Sequence, residues 1–394
     1  MSMLISGGGI AGLALGYMLH HHGHEPLIVE KSAHLRDEGY MIDFFGPGYD
    51  ASEKMGLLPE IAAIHYQIPR FAFLAPSGKV RFSLSYATLR KNLFGDRHFN
   101  FMRGDLEQLL YSKIEDRVEV RFGTEIESFE QAGATVRVKL TDGTTSSFDV
   151  LVGADGVHSQ VRELAFGTED SFSRFLGYYT AAFIVDEPKM REGLGGAFYT
   201  LTVPKRQVAV YPISGGRLAT FFIHKAEHPL GDFSPQTVAE ELHRAYGRMG
   251  WIAPELLKRC PQGSGLYFDE VAQIEMPSWS RGRVVLVGDA CGCVSLLAGQ
   301  GASLAVCGAY TLAEELGGAQ EGEKEIAAAL ARYEGKLKPA VQRRQKAGRR
   351  LARWFVPDDR IRLAVRDAAM RMTTSSLASL VLRHRYALGN TGKV

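Results

Sequence analysis

The chain has 394 residues, 45% of them hydrophobic and 23% charged, with a formal net charge of +2. That length supports two packed regions around a large core, and the near-neutral balance gives no global reason to expect nucleic acid as a partner. No apolar run approaches the ~18 residues that cross a bilayer, so a membrane is not expected as a partner either.

MSMLISGGG enters a strand almost at once, which leaves no room for a signal peptide before the fold. Residues 3–6 read as a buried strand, residues 10–23 as a helix with a small-residue face (Ala11, Ala14, Gly16), and PLIVE (26–30) as a second strand. Strand, glycine turn, helix and strand make a βαβ unit. Residues 104–115 carry Leu106, Leu109, Leu110 and Ile114 at helical spacing, VEVRF (118–122) and TVRVKL (135–140) alternate as half-exposed strands, and 148–156 is a strand running into a turn.

From about 171 to 276 the texture changes. YYTAAFIV (178–185), AFYTLTV (197–203), QVAVYPI (207–213) and LATFFIH (218–224) are rich in aromatic and β-branched residues and read as a sheet able to carry an apolar ligand. GRVVLVGDA (282–290) returns to the buried-strand pattern, followed by helices over 301–317 and 324–354. The expected fold is therefore α/β: a Rossmann-like nucleotide domain, an inserted mostly-β substrate domain and a long C-terminal helix. The expected division is 1–70, 97–170 and 277–323 for the first, 71–96 and 171–276 for the second, and 324–394 for a C-terminal helical segment.

The four cysteines, Cys260, Cys291, Cys293 and Cys307, form no disulfide framework and no zinc spacing. They read as small buried residues in a reducing, cytoplasmic protein. His20, His21, His22 and His24 point around a helix end rather than toward one ion, so no metal is expected. KLKPAVQRRQKAGRRLAR (336–353) is basic, with Leu337, Val341, Leu351 and Phe355 on one stripe, and reads as an amphipathic helix lying on the body.

Three motifs carry the chemistry. In GGGIAG, Gly7, Gly9 and Gly12 fill G-x-G-x-x-G between strand and helix, where a diphosphate must approach bare backbone and the helix N-terminus supplies amides and a positive dipole end. Glu30 ends the next strand, where an acid meets a ribose 2′-hydroxyl. In VLVGADGVHSQVRE, Asp155 and Gly156 end a strand and Arg162 lies on the next helix. In GDACGCVSLLAGQG (288–301), Asp289 suits a polyol such as ribitol, and Gly299, Gln300 and Gly301 open a helix whose N-terminus stabilises negative charge. Arg103, in FMRGDLEQLL, sits at a helix start and can pair with a phosphate.

GGGIAG, Glu30, Arg103 before Leu106, ADG at 154–156, and GD at 288–289 before GQG at 299–301 together resemble the group A flavoprotein monooxygenases, which share the fold of para-hydroxybenzoate hydroxylase. The resemblance covers residues 1 to about 320. MPSWSRGRVVLVGDA, GAY (308–310) and the long C-terminal helix most resemble the tetracycline-inactivating enzymes and their relatives acting on aromatic polyketides. The resemblance implies FAD, with NAD(P)H and O2 as co-substrates, and hydroxylation of an aromatic, phenolic or polycyclic molecule through a flavin C4a-hydroperoxide. It implies that Gly7, Gly9, Ile10, Ala11, Gly12, Glu30, Lys31, Arg36, Arg103 and Leu106 serve the ADP half of the cofactor. Asp289 would hold the ribitol, Gly299, Gln300, Gly301, Ala302 and Ser303 would face the isoalloxazine, and Asp155 with Gly156 matches a motif used for both nucleotides.

No side chain is required as a strong acid, base or nucleophile, because the cofactor carries the reaction. Phe183, Tyr211 and Phe222 are candidate pocket walls, with ordinary sheet core the competing reading. Asp43, in GYMIDFFGPG, is a candidate for a direct role, or a turn or cap residue. Two departures stand out. Gly292 replaces a histidine common in the family, though not in the most similar subgroup. Leu296 replaces a proline usual in both, which leaves the loop more mobile or substitutes an apolar wall for a rigid one. A flavin reductase or dehydrogenase of the same fold, and a flavin-binding accessory protein, remain alternatives. A halogenase is disfavoured because no Trp-x-Trp-x-Ile-Pro segment occurs. A monomer or weak dimer is expected.

Overall fold

The computed structural model describes residues 1–35, 40–231, 234–263, 265–319 and 322–372. Strand Ser2–Ser6 lies inside a six-stranded sheet, paired in parallel with Glu25–Glu30 on one side and Val150–Gly153 on the other. Glu119–Phe122 extends the sheet beyond Glu25–Glu30, and Val284–Leu286 then Ser280–Arg281 extend the opposite side. Met3, Leu4 and Ile5 are fully buried, as a parallel strand covered on both faces requires. Helix Ile10–His21 packs its small face closely: a Cβ on Gly16 would lie 2.8 Å from Ile28 Cδ1.

The second sheet has seven strands in the order Tyr267–Ile274, Ser173–Val185, Leu218–Lys225, Arg206–Pro212, Phe198–Val203, Arg70–Leu74 and Val80–Ser85. Its last two strands come from the early part of the chain, and Arg70–Leu74 pairs in parallel with Phe198–Val203. Side chains alternate across its faces. One face buries Phe183, Phe222 and Leu201 against Val238, Leu242 and Tyr246 of helix Pro235–Tyr246 and against Ala253–Leu257. The opposite face sets Tyr211 and Ala219 against Met41 and Met102, and Tyr178 and Ile223 against Leu297, Ala352 and Val356.

Helix Pro235–Tyr246 is absent from the sequence expectation of a mostly-β region. Ser234, whose side chain accepts the Thr237 N–H, Pro235 in the first turn, and apolar residues at 238, 242 and 245 were its available signals. Helix Glu323–Phe355 buries Ile326, Leu330, Tyr333, Leu337 and Val341, as the expected stripe requires, and Phe355 is half-buried. The Leu351 side chain lies outside the described set. Among the described residues no helix is long and apolar enough to cross a membrane, and no group of three or more His, Cys, Asp or Glu side chains is placed to hold a metal. Of the histidine run, His22 Nε2 meets Glu314 Oε1 at 2.9 Å.

Candidate functional site

The glycine turn follows strand Ser2–Ser6 directly. Gly7 has φ +110°, and a Cβ there would lie 2.5 Å from the Ala154 carbonyl oxygen, so this glycine lets the neighbouring strand end approach. A Cβ on Gly12 would lie 1.9 Å from the Gly7 carbonyl oxygen, so that position is bare for the sake of the turn itself. Gly9 differs. The nearest atoms to its Cβ position are Glu107 Oε1 at 3.5 Å and Arg103 Nη2 at 3.8 Å, so the fold alone does not demand a glycine here. Gly9 is the N-cap of helix Ile10–His21, and no side chain caps that helix. Its first amides and dipole end therefore suit an anion. Ile10 and Ala11 are buried in the first turn.

Glu30 sits beneath this turn. Oε2 accepts the Gly8 N–H at 2.7 Å and Oε1 accepts the Ser32 N–H at 2.9 Å, which fixes the carboxylate while leaving acceptor capacity on each oxygen. Lys31 beside it is exposed, and Arg36 lies outside the described residues. Arg103 opens helix Arg103–Ser112 and pairs with buried Glu107 at 2.6 Å, while Leu106 is fully buried core. Burial opposes the charge on Arg103, but Glu107, Tyr40, Tyr267 and Asp289 together raise its pKa.

At the other end of the site, Gly288 (φ +68°) turns the chain out of the sheet and Asp289 follows. The Cβ position of Gly301 lies 3.8 Å from both Asp289 carboxylate oxygens, so the loop returns to the acid it left. Burial raises the Asp289 pKa and Arg103 counteracts it. Gly299 (φ +61°) and Gln300 precede helix Gly301–Gly317, which no side chain caps. Gln300 Oε1 is buried without a partner among the described residues. Ala302 is half-buried, and fully buried Ser303 accepts the Phe45 N–H on Oγ at 3.2 Å.

Strand Met41–Phe45 joins this helix start to the second sheet. At its far end the Met41 N–H donates to Tyr211 Oη at 2.6 Å, and the Tyr211 ring stacks on Phe198 with centroids 4.7 Å apart. Between them Asp43 Oδ1 accepts from Tyr86 Oη at 3.0 Å and meets His98 Nε2 at 2.9 Å, with the carboxylate half exposed. Tyr40 borders the same region, its ring 5.7 Å from Tyr267 and 5.9 Å from Phe221. Burial pushes the Tyr40 hydroxyl well above its ordinary range, against the pull of Arg103.

Two pocket-wall expectations need correction. Phe183 and Phe222 stack on each other at 5.4 Å within the sheet–helix core, on the face opposite Tyr211, because side chains alternate along their strands. Asp155 also has structural duties: Oδ1 accepts from Ser159 Oγ at 2.5 Å and Oδ2 from the Val161 N–H at 3.0 Å, while Gly156 turns with φ +82°. Fully buried Arg162 donates to the Val157 carbonyl at 2.6 Å, to the Ala290 carbonyl at 3.2 Å and to Glu169 at 2.7 Å, tying this motif to the Asp289 loop.

Sequence reasoning missed Tyr40, Tyr86 and His98. Tyr40 lies within GYMIDFFGPG and His98 lies five residues before Arg103, so nearness to those stretches was an available signal for both, whereas Tyr86 stands apart from the motifs.

The model of the FAD binding domain family matches residues 1–347. The chain belongs to that family. A flavin-dependent monooxygenase of Legionella longbeachae is 31% identical over 366 residues, 92% of this chain and 91% of that one. Among solved structures, the tetracycline destructase Tet(51) is 27% identical, with a TM-score of 0.83 over 100% of this chain and 98% of that one. Klebsiella pneumoniae HpxO complexed with FAD and uric acid shares the fold, with 23% identity and a TM-score of 0.78 over 100% of this chain and 97% of its own. The chain is thus an FAD-dependent oxidoreductase of the group A monooxygenase type. The uncapped helix at Gly9, the acid at Glu30, the half-buried carboxylate at Asp289 and the unpartnered Gln300 Oε1 are a donor and acceptor set that fits FAD.

Proposed function

We propose that this flavoprotein uses NAD(P)H and O2 to hydroxylate an aromatic, phenolic or polycyclic small molecule. The observation that carries the reading is strand Met41–Phe45, bonded at one end to Tyr211 on the second sheet and at the other to Ser303 at the helix start. It brings an aromatic wall and a flavin cradle to either side of one short strand. When bound, FAD supplies hydride acceptance and oxygen activation. The chain's own residues bind, orient and exclude water.

In this reading the Gly9 amides and Arg103 receive the diphosphate, Glu30 the adenosine ribose, and Asp289 the ribitol hydroxyls. The helix start at Gly301 stabilises negative charge on the flavin ring. Tyr40, Tyr211 and Phe221 shape the apolar side of the substrate space, and Asp43 presents a half-exposed carboxylate for a substrate hydroxyl. The similarity to Tet(51) supports tetracycline-like polycycles as the first compounds to try. The separate six-stranded and seven-stranded sheets support the proposed division into flavin and substrate domains. The free cysteines suit a reducing cytoplasm, and a monomer or weak dimer completes the proposal.

The test is aerobic NADPH and NADH oxidation by FAD-loaded protein with tetracyclines, anthraquinones and simple phenols, following peroxide and product mass together. A compound that speeds oxidation and gains one oxygen atom establishes the activity. A substrate reduced or dehydrogenated without gaining oxygen selects the reductase reading. Absence of flavin reduction by either nucleotide overturns both.

A further inference from the structure

The loop between Asp289 and Gly301 lacks the proline expected at Leu296, and its backbone is unusual there. Ser295 has φ +86° and ψ 147°, a region that side chains other than glycine's rarely enter. It is buried, and its Oγ has no partner among the described residues. Such a conformation persists only where the surroundings hold it.

Two buried glutamines do so. Gln345, on helix Glu323–Phe355, donates through Nε2 to the Cys293 carbonyl at 3.0 Å and to the Ile274 carbonyl at 2.7 Å. Gln273, on strand Tyr267–Ile274, donates through Nε2 to the Val294 carbonyl at 3.0 Å and to the Gln345 carbonyl at 3.0 Å. Arg349 Nη1 fixes Gln273 by donating to its Oε1 at 2.7 Å. The helix approaches this loop at Gly348, where a Cβ would lie 3.2 Å from the Val294 oxygen. The two carbonyls immediately before Ser295 are thus both held by side chains from outside the loop.

We propose that Gln273 and Gln345 are positioning residues for the flavin: an amide clamp that fixes Cys293–Ser295 and so supplies the restraint a proline at 296 supplies elsewhere. The proposal rests on the flavin lying against this loop. Leu296 is the first residue of the turn Leu296–Ala298, a place that suits proline, and Ser295 has the ψ favoured before proline, although its φ of +86° is not the usual one. Leu296→Pro is the rescue to test, since the ψ that a following ring restricts is already met.

The experiment compares Gln345→Met, Gln345→Met with Leu296→Pro, and Leu242→Ala as a control in the core on the far face of the second sheet. FAD affinity, the bound-flavin absorption spectrum, its midpoint potential and thermal unfolding are read for each. Gln345→Met is expected to weaken FAD binding about tenfold and to alter the spectrum and potential, and Leu296→Pro to restore all three to within about twofold. Leu242→Ala is expected to lower the unfolding temperature with the flavin signals unchanged. If Gln345→Met does not fold, Arg349→Gln, which releases Gln273 Oε1, is read in its place. A variant that behaves like the control, or a proline that restores nothing, overturns the clamp. Asp289→Asn separates the two failures: unchanged FAD affinity there overturns the placement of the flavin, and the clamp with it.

Discussion

A Cβ on Gly12 would lie 1.9 Å from the carbonyl oxygen of Gly7, whereas the Cβ position of Gly9 meets nothing nearer than 3.5 Å. The two glycines therefore answer to different demands. Gly12→Ala must displace backbone and is expected to prevent folding or to cost several kcal/mol. Gly9→Ala is expected to change stability by less than about 1 kcal/mol while weakening FAD binding at least tenfold, because in the proposed site its methyl group would meet the cofactor. Unfolding of the apo-proteins beside FAD titration separates the two effects.

Asp289 is a half-buried carboxylate whose pKa desolvation raises in the folded chain. A raised carboxyl pKa means that ionisation disfavours the fold. The penalty is absent below the unfolded value near 4, grows as pH rises to the folded value and is constant above it. Asp289→Asn is thus expected to stabilise the apo-protein at pH 7–8, with the gain vanishing in acid, while it loses FAD affinity. Chemical denaturation across pH, with and without FAD, checks both signs.

Tyr211 and Phe222 occupy opposite faces of one sheet. Phe222→Ala empties a packed core and is expected to cost ~3–5 kcal/mol with KM for the organic substrate near that of the parent protein. Tyr211→Phe removes the acceptor of the Met41 N–H and is expected to cost ~1–3 kcal/mol. In the proposed site strand Met41–Phe45 borders the substrate space, so this variant is the one expected to raise KM. Steady-state kinetics beside denaturation decides the matter.

His158 meets Glu169 at 2.8 Å and Asp269 at 3.3 Å, joining the Asp155 turn to the second sheet. Those partners, Asp269 first, raise its pKa from 6.5 to about 10. For a raised histidine the stabilisation is full below the unfolded pKa and fades as pH rises through the folded one. The stability gap between the parent and His158→Gln is expected to be greatest at pH 6 and closed above pH 10. Half exposure of the ring keeps the gap to about 1 kcal/mol. Urea unfolding at pH 6, 8 and 10 measures it.

The turn and helix start of the proposed cofactor end were legible in the sequence because their requirements are local. A strand, a bare turn and an uncapped helix start must be consecutive, so Gly7, Gly9 and Gly12 announce themselves, and Glu30 follows at the end of the next strand. Asp289 and Gly301 are likewise parts of one loop. The substrate end was read less well. Aromatic runs revealed the strands but not their faces, since a period of two says which residues share a side and not which side meets the flavin.

Taken alone, the sequence determined the strand, glycine turn and helix of the first βαβ unit and the acids at Glu30 and Asp289, because each is a short-range constraint on backbone shape and charge, while helix Pro235–Tyr246 escaped it. Tertiary structure alone decided that Phe183 and Phe222 are core while Tyr211 looks across at Met41, that Arg162 braces Ala290, and that Gln345 reaches Cys293. Those relations join segments far apart in the chain. They exist only once the sheets have packed, when burial makes each unpaired carbonyl and each misplaced ring costly.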